Sequence, residues 1–276
     1  MSATAAAPAR TGRALKVTQG RVLRSEWTKL CSVRSTGYTL LVSVVIMIGI
    51  STLLSSITAG QFASYSAADQ AAVNPVSLGL SGFGFAHVAI GVLGVLVISS
   101  EYGTGMIRAS LTAVPRRLPV LWAKLAVFAG VVFSLSLVSA FVSFFLSQGL
   151  LDGQHIGVGI GAPGALRSVL GAALYMTVAG LIGIALGALL RSTTAAVSVF
   201  AGAFFVVPIL AGLLPASISD NLNPYLPSNA GSAIFGGVGG QTLHNALSPW
   251  TGMAVLAGYA AVLIGAAAWR LRRADA

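Results

Sequence analysis

The side chains able to do acid–base, nucleophilic or metal chemistry are few in this chain, and they stand far apart. There are three histidines (His87, His155 and His244), one cysteine (Cys31) and six carboxylates among 276 residues. A nucleophile needs a base within hydrogen-bond reach, and a metal centre needs several converging ligands. No H-E-x-x-H or G-x-S-x-G run occurs, and no two carboxylates pair within an apolar stretch. The lysines are Lys16, Lys29 and Lys124, none followed by Ser or Thr, so a phosphate-cradling G-x-x-x-x-G-K-[ST] loop is missing. Cys31 alone makes neither an internal disulfide nor a thiol cluster, and reads as a small apolar filler. His155 and His244 fall in polar connections. His87 lies inside an apolar run, where a polar group faces other protein or a watery cavity. The sequence therefore assigns no catalytic residue and no metal ligand, and the chain is expected not to be an enzyme.

The elements that carry these residues follow from composition. Hydrophobic residues make up 56% and charged residues only 8%, against about 25% charged in a soluble domain. Such a chain cannot clothe a water-facing surface. A helix crossing the roughly 30 Å of hydrocarbon needs about 20 apolar residues, and a central charge is costly. The charge-free runs are Tyr38 to Ile57, Leu78 to Ser100, Leu125 to Gln148, the stretch between Arg167 and Arg191, Thr194 to Leu214 with Pro208 able to kink it, and Trp250 to Trp269. The fold class expected is all-α, a polytopic membrane protein with six transmembrane helices. Gly183 and Gly187, spaced G-x-x-x-G in the fourth run, favour close helix packing.

Sixteen Lys and Arg face six Asp and Glu, for a net charge of +10. The basic residues flank apolar runs, which fits lipid headgroups and cytoplasmic loops better than nucleic acid. With the N-terminus inside, Arg167 is the one basic residue placed outside, while Asp69, Asp152 and Asp220 all fall in outer loops. Both termini are expected to be cytoplasmic in a plasma membrane. The first apolar run begins near residue 37, too late for a cleavable signal peptide. Residues 1–14, rich in Ala, Pro and Arg, read as a disordered tail. Residues 15–36 read as an amphipathic helix in the membrane interface, with Leu23, Trp27, Leu30 and Cys31 on one face and Arg21, Arg24 and Lys29 elsewhere. The connection between the fifth and sixth runs, rich in Pro and Gly and nearly uncharged, suits segments that dip back into the outer membrane face.

The loop after the second run, Glu101-Tyr102-Gly103-Thr104-Gly105-Met106-Ile107-Arg108, continues to Pro115 and ends at Lys124. A carboxylate at a membrane exit, a Gly-Thr-Gly turn, a short apolar and basic stretch and a proline stop make a compact element able to dock into another protein. Glu101, beside a helix carrying Arg24 and Lys29, is placed to form a partly desolvated ion pair.

The run Glu101, Gly103-Thr104, Leu111, Pro115 and Lys124 resembles the E-x-G-T…L…P…K pattern of permease subunits in the type-2 ABC transporter family. Residues Arg24, Ser25, Glu26, Trp27, Thr28, Lys29 and Leu30, followed by Arg34, Ser35 and Thr36, resemble the interfacial opening of actinobacterial members. The sequence departs at Tyr102-Gly103, where many relatives carry a second charged residue. The resemblance implies a six-span transmembrane domain over residues 37–276 of a bacterial exporter. It implies pairing with a second permease copy or paralogue above two copies of a separate ABC ATPase subunit, which binds the ATP and Mg; this chain binds no cofactor. Glu101 to Arg108 would be the coupling segment, and the helix with Arg24, Glu26, Trp27 and Lys29 the connecting helix. The second and fifth spans of both protomers would line a central substrate path, through Phe83, His87, Gly91 and Gly94 on one and Thr194, Ser198, Ala201, Phe205 and Pro208 on the other. Neither stripe is charged, so an amphipathic or apolar substrate is expected. The rivals are a self-sufficient secondary transporter or channel, which repeated halves or a buried acid would favour, and a non-transport anchor or assembly protein.

Overall fold

A computed structural model describes residues 18–103, 117–236 and 245–273. Among them every regular element is helical. Six helices are long and apolar enough to cross a membrane: Arg34–Ser64, Pro75–Gly103, Leu118–Asp152, Ala165–Leu190, Thr193–Gly212 and Pro249–Arg273. The chain is thus an all-α polytopic membrane protein with the six spans expected. Five of the six spans extend beyond the charge-free runs that announced them, because helices continue into the headgroup layer where charges are solvated; the fifth, Thr193–Gly212, stops two residues short of its run. The third helix, Arg117–Asp152 with 36 residues, is about 54 Å long at 1.5 Å per residue, well over the hydrocarbon thickness.

The second and fourth spans form the core. Within their most apolar windows 67% and 78% of residues are buried, against 22% for the first and for the fifth span. Glycine makes this pairing possible. A Cβ at Gly94 would overlap the Gly180 carbonyl oxygen, and one at Gly183 would overlap the Gly91 carbonyl oxygen. The two backbones therefore touch, with no layer of side chains between them, and Gly187 extends the contact to Ile98 and Val95. In lipid, where apolar side chains gain nothing by leaving one another's company for acyl chains, such close van der Waals contact is what holds helices together.

The first span packs on the third by small polar residues. Ser43, Ser51 and Ser55 on one and Ser139, Ser143 and Ser147 on the other are buried. Ser143 Oγ donates to the Gly79 carbonyl at 2.8 Å, and Ser51 Oγ accepts the Gly82 N–H at 2.9 Å. Gly82 lies where the second span breaks between a short helix, Pro75–Gly79, and its main helix, Phe83–Gly103. A side chain there would collide with the backbone of Met47. The short helix starts at Asn74, whose Oδ1 accepts the N–H groups of Val76 and Ser77, with Pro75 at the first position, where no N–H is needed.

The fourth and fifth spans are joined by two residues. Arg191, at φ 52°, closes one helix in the left-handed conformation, and Ser192 caps the next. The fifth span runs as an α-helix over Thr193–Ala201, widens into a π turn over Gly202–Val206 and resumes at Val207. Pro208 explains the turn, since its ring supplies no N–H and crowds the carbonyl four residues back, and the wider turn makes room. The described part of the connection to the sixth span packs into the bundle. Ala230, Ile234 and Phe235 are buried, with Gly231 against Tyr175 and the Ala230 carbonyl over Gly252.

Candidate functional site: a buried charge network at the interfacial helix

The N-terminal helix, Gln19–Ser32, is separate from the first span, which begins at Arg34 after a kink at Val33 (φ −88°, ψ 108°). It lies against the start of the third span, where Val22 packs with Val120 and Ala123 and Gln19 Nε2 donates to the Pro119 carbonyl. The apolar face read from the sequence is divided between the protein and its surroundings. Val22 and Glu26 are buried, Leu23 and Leu30 are half-buried, and Trp27 (53% exposed) and Cys31 point away from the protein.

Glu26 opens a four-membered network. Its carboxylate meets Lys29 Nζ at 2.7 Å and Lys124 Nζ at 2.7 Å. Glu101 Oε1 accepts from Lys124 at 2.9 Å and from Lys29 at 3.2 Å. Lys29 and Glu26 share a face because they are three residues apart on one helix. Glu101 comes from the last turn of the second span and Lys124 from the second turn of the third. Glu26, Glu101 and Lys124 are each about 95% buried and Lys29 is partly exposed, so the cluster closes two negative and two positive charges into a ring open to its surroundings only at Lys29. Burial alone would raise the Glu26 carboxyl, but the adjacent Lys124 and Lys29 ammoniums outweigh it and hold Glu26 below its ordinary value. Burial likewise opposes the charge on Lys29, and the hydrogen bond to Glu26 and the field of Glu101 reverse this and raise it.

The sequence placed Glu101 opposite Arg24 and Lys29. Lys29 is its partner; Arg24 is on the exposed side of the helix, and Lys124 takes the second position. A signal for Lys124 existed. A lone cation inside the run Val120-Leu121-Trp122-Ala123-Lys124-Leu125 must find a carboxylate, and Glu26 and Glu101 are the acids at that end of the bundle among the described residues.

Beside the network lies a cavity of about 330 Å³. Leu93, Leu96, Val97 and Val127 wall it, Val33 and Thr36 border it, and the four charged residues form its floor. Val33 and Leu96, 50% and 37% exposed, and the exposed Ser35 and Ser100 are also among its lining residues.

Next to Glu101, Tyr102 lies under the Arg191 guanidinium, 5.4 Å from its ring centre. Thr193 Oγ1 donates to Ser99 Oγ at 2.8 Å, and Arg270 donates to the Leu189 carbonyl. The ends of the second, fourth and sixth spans and the start of the fifth thus meet on the face that carries the N-terminal helix. Gly103 is exposed with open space around it. Thr104, Gly105, Met106, Ile107 and Arg108, together with Leu111, Pro115, His244 and the tail 1–14, lie outside the described residues.

The two stripes proposed as a substrate path do not meet within the chain. Phe83 and His87 are buried, and His87 is closed in by the opposite face of the fifth span. Phe204 lies 5.5 Å from the His87 ring, and Phe200 stacks on Phe204 at 4.4 Å while seated over Gly91. Tyr175 covers another edge of His87 at 5.7 Å. Neither His87 nitrogen nor the Tyr175 hydroxyl makes a hydrogen bond of normal geometry. Thr194, Ser198 and Phe205 are exposed on the outside of the bundle, and Gly94 is taken up by Gly180. Residues Phe83 and His87 are interior packing in this conformation.

Comparisons with protein-family models, with curated proteins and with solved structures give no match to this chain.

Proposed function

We propose that this chain is the permease subunit of an ATP-driven exporter of the type-2 ABC kind, working as a pair with a second permease copy or paralogue and driven by two copies of a separate ATPase subunit in a bacterial plasma membrane. One observation carries the reading. The ring of Glu26, Lys29, Glu101 and Lys124 ties the interfacial helix to both arms that flank residues 104–116. A push delivered to that segment by a cytoplasmic partner would reach the second span, the third span and the interfacial helix together. The second span is in turn locked to the fourth by backbone contact, so the push would enter the core of the bundle. A self-sufficient transporter has no need to brace one loop in this way. The outward faces of the first and fifth spans, with Tyr38, Leu41, Val45, Phe205, Ile209 and Leu213 exposed, offer an apolar surface to lipid or to the second permease.

The test is reconstitution. The pure chain is expected to hydrolyse no ATP and to acquire hydrolysis only with an ATPase partner. In the assembled complex Glu101→Gln should leave assembly and hydrolysis in place and reduce transport. Intrinsic hydrolysis by the pure chain, or normal coupled transport in the variant, would refute the reading. Tags at both termini should lie in the cytoplasm, and one near Asp69 or Asp152 outside.

A further inference from the structure

We infer that the cavity beside the charge ring holds one molecule of a phospholipid with a primary-amine headgroup, drawn from the surrounding bilayer. Three features point to that chemistry. The first is the wall. Leu30, Leu93, Leu96, Val97 and Val127 give it a hydrocarbon side, while Ser35, Thr36, Thr39 and Ser100 add hydroxyls, a mixture suited to the join between a headgroup and an acyl chain. At about 330 Å³ the cavity is within the range of small-molecule sites. It suits a headgroup with the upper part of one acyl chain, the rest lying outside along the first span.

The second is the floor. Two carboxylates and two ammoniums balance, so the site calls for no net charge and gives anionic lipid no advantage. The balance leaves one vacancy in hydrogen bonding. Both lysine bonds fall on Glu101 Oε1, while the buried Oε2 has no partner. A buried carboxylate oxygen without a donor is costly, and a charge-assisted N–H bond is the strongest remedy. Glu101 lines the cavity, so an ammonium held there can donate to that oxygen while Oε1 keeps both lysines. A choline headgroup has no N–H and cannot fill this role.

The third is depth. The ring sits level with the N-terminal helix, whose exposed Trp27 marks the headgroup layer. An ammonium held by Glu101 would therefore be at its natural height in the bilayer. None of this depends on how, or whether, transport is driven.

The test uses the purified full chain and native mass spectrometry after delipidation, with phosphatidylethanolamine, phosphatidylcholine and phosphatidylglycerol of matched acyl chains. Phosphatidylethanolamine is expected to be retained about tenfold more strongly than phosphatidylcholine, the order of one charge-assisted hydrogen bond. Leu96→Trp, which narrows the cavity and leaves all four charges, should abolish the preference. Val33→Trp in the same lining serves if the first variant does not fold, since Val33 is half exposed. Soluble phosphoethanolamine at millimolar concentration should not displace the lipid. Equal retention of phosphatidylcholine, stronger retention of phosphatidylglycerol, or an unchanged preference in the tryptophan variants would overturn the inference. Displacement by phosphoethanolamine would overturn it too, by showing that a free soluble amine is the ligand.

Discussion

Lys124→Met is the most direct probe of the charge ring. Methionine keeps the length and apolar stem of lysine and removes only the ammonium. Lys124 is 4% exposed and touches both carboxylates, at 2.7 Å to Glu26 and 2.9 Å to Glu101. With an effective dielectric constant near 20, one contact at these distances amounts to roughly 5–6 kcal/mol of gross attraction. Much of that offsets the several kcal/mol needed to desolvate each ion, so the net worth of the ring is far smaller. Removing one partner is different, because two buried carboxylates would then share Lys29 alone. A buried charge stripped of its partner commonly costs about 3–5 kcal/mol, and the Lys124→Met chain should lose stability of that order. The double variant Glu101→Gln, Lys124→Met leaves Glu26 paired with Lys29 and no surplus charge, so it should recover at least half of the loss. Reversible unfolding of the four chains of this cycle in mixed micelles, followed by tryptophan fluorescence, measures the coupling directly. Additive losses in the double variant would refute the ring as an energetic unit.

The ring also predicts a pH profile. Glu26 is held below its ordinary value of 4.5, so its contribution is full above that value and is lost as pH falls through the lower, folded value. Lys29 is held above its ordinary 10.5, so its contribution is full below 10.5 and is lost as pH rises through the higher folded value. Stability of the purified chain should therefore show a plateau between these limits, and Glu26→Gln should flatten the acid limb. Gly94→Val should abolish a monodisperse chromatographic peak, because its Cβ meets the Gly180 backbone, which cannot swing aside, whereas Gly258→Ala, with open space around it, should behave as the native chain. Tyr175→Phe removes a fully buried hydroxyl that has no partner and should raise stability by about 1 kcal/mol; a clear loss would mean that the hydroxyl is engaged.

The six spans were legible because charge is so rare here that each gap between charges announces a crossing. Their packing was half legible. The G-x-x-x-G of Gly183 and Gly187 pointed to close contact, but nothing local named Gly91 and Gly94 as the partners. The interfacial helix was legible as amphipathic, but not which of its residues meet the protein. In water a large apolar residue marks the buried face; beside lipid it is as well placed outside, and the face turned to the protein was the one with Val22, Glu26 and Lys29. The Phe83 and His87 stripe was ambiguous for a related reason. Small and aromatic residues at helical spacing line a cavity or receive a neighbour equally well, and Phe200, seated where Gly91 has no side chain, decided for the neighbour.

The contact between the second and fourth spans sets an order of assembly. Gly94 and Gly180 belong to segments that leave the ribosome far apart, so the core of the bundle cannot close until the fourth span has entered the membrane. Until then the newly inserted second span would present its glycine-lined face to lipid, with a buried acid, Glu101, at its end. Lys124 follows only 23 residues later, and Lys29 and Glu26 have already emerged. The charges can thus neutralise one another as soon as the third span arrives, holding an incomplete three-span intermediate in register while it awaits the helix that completes it.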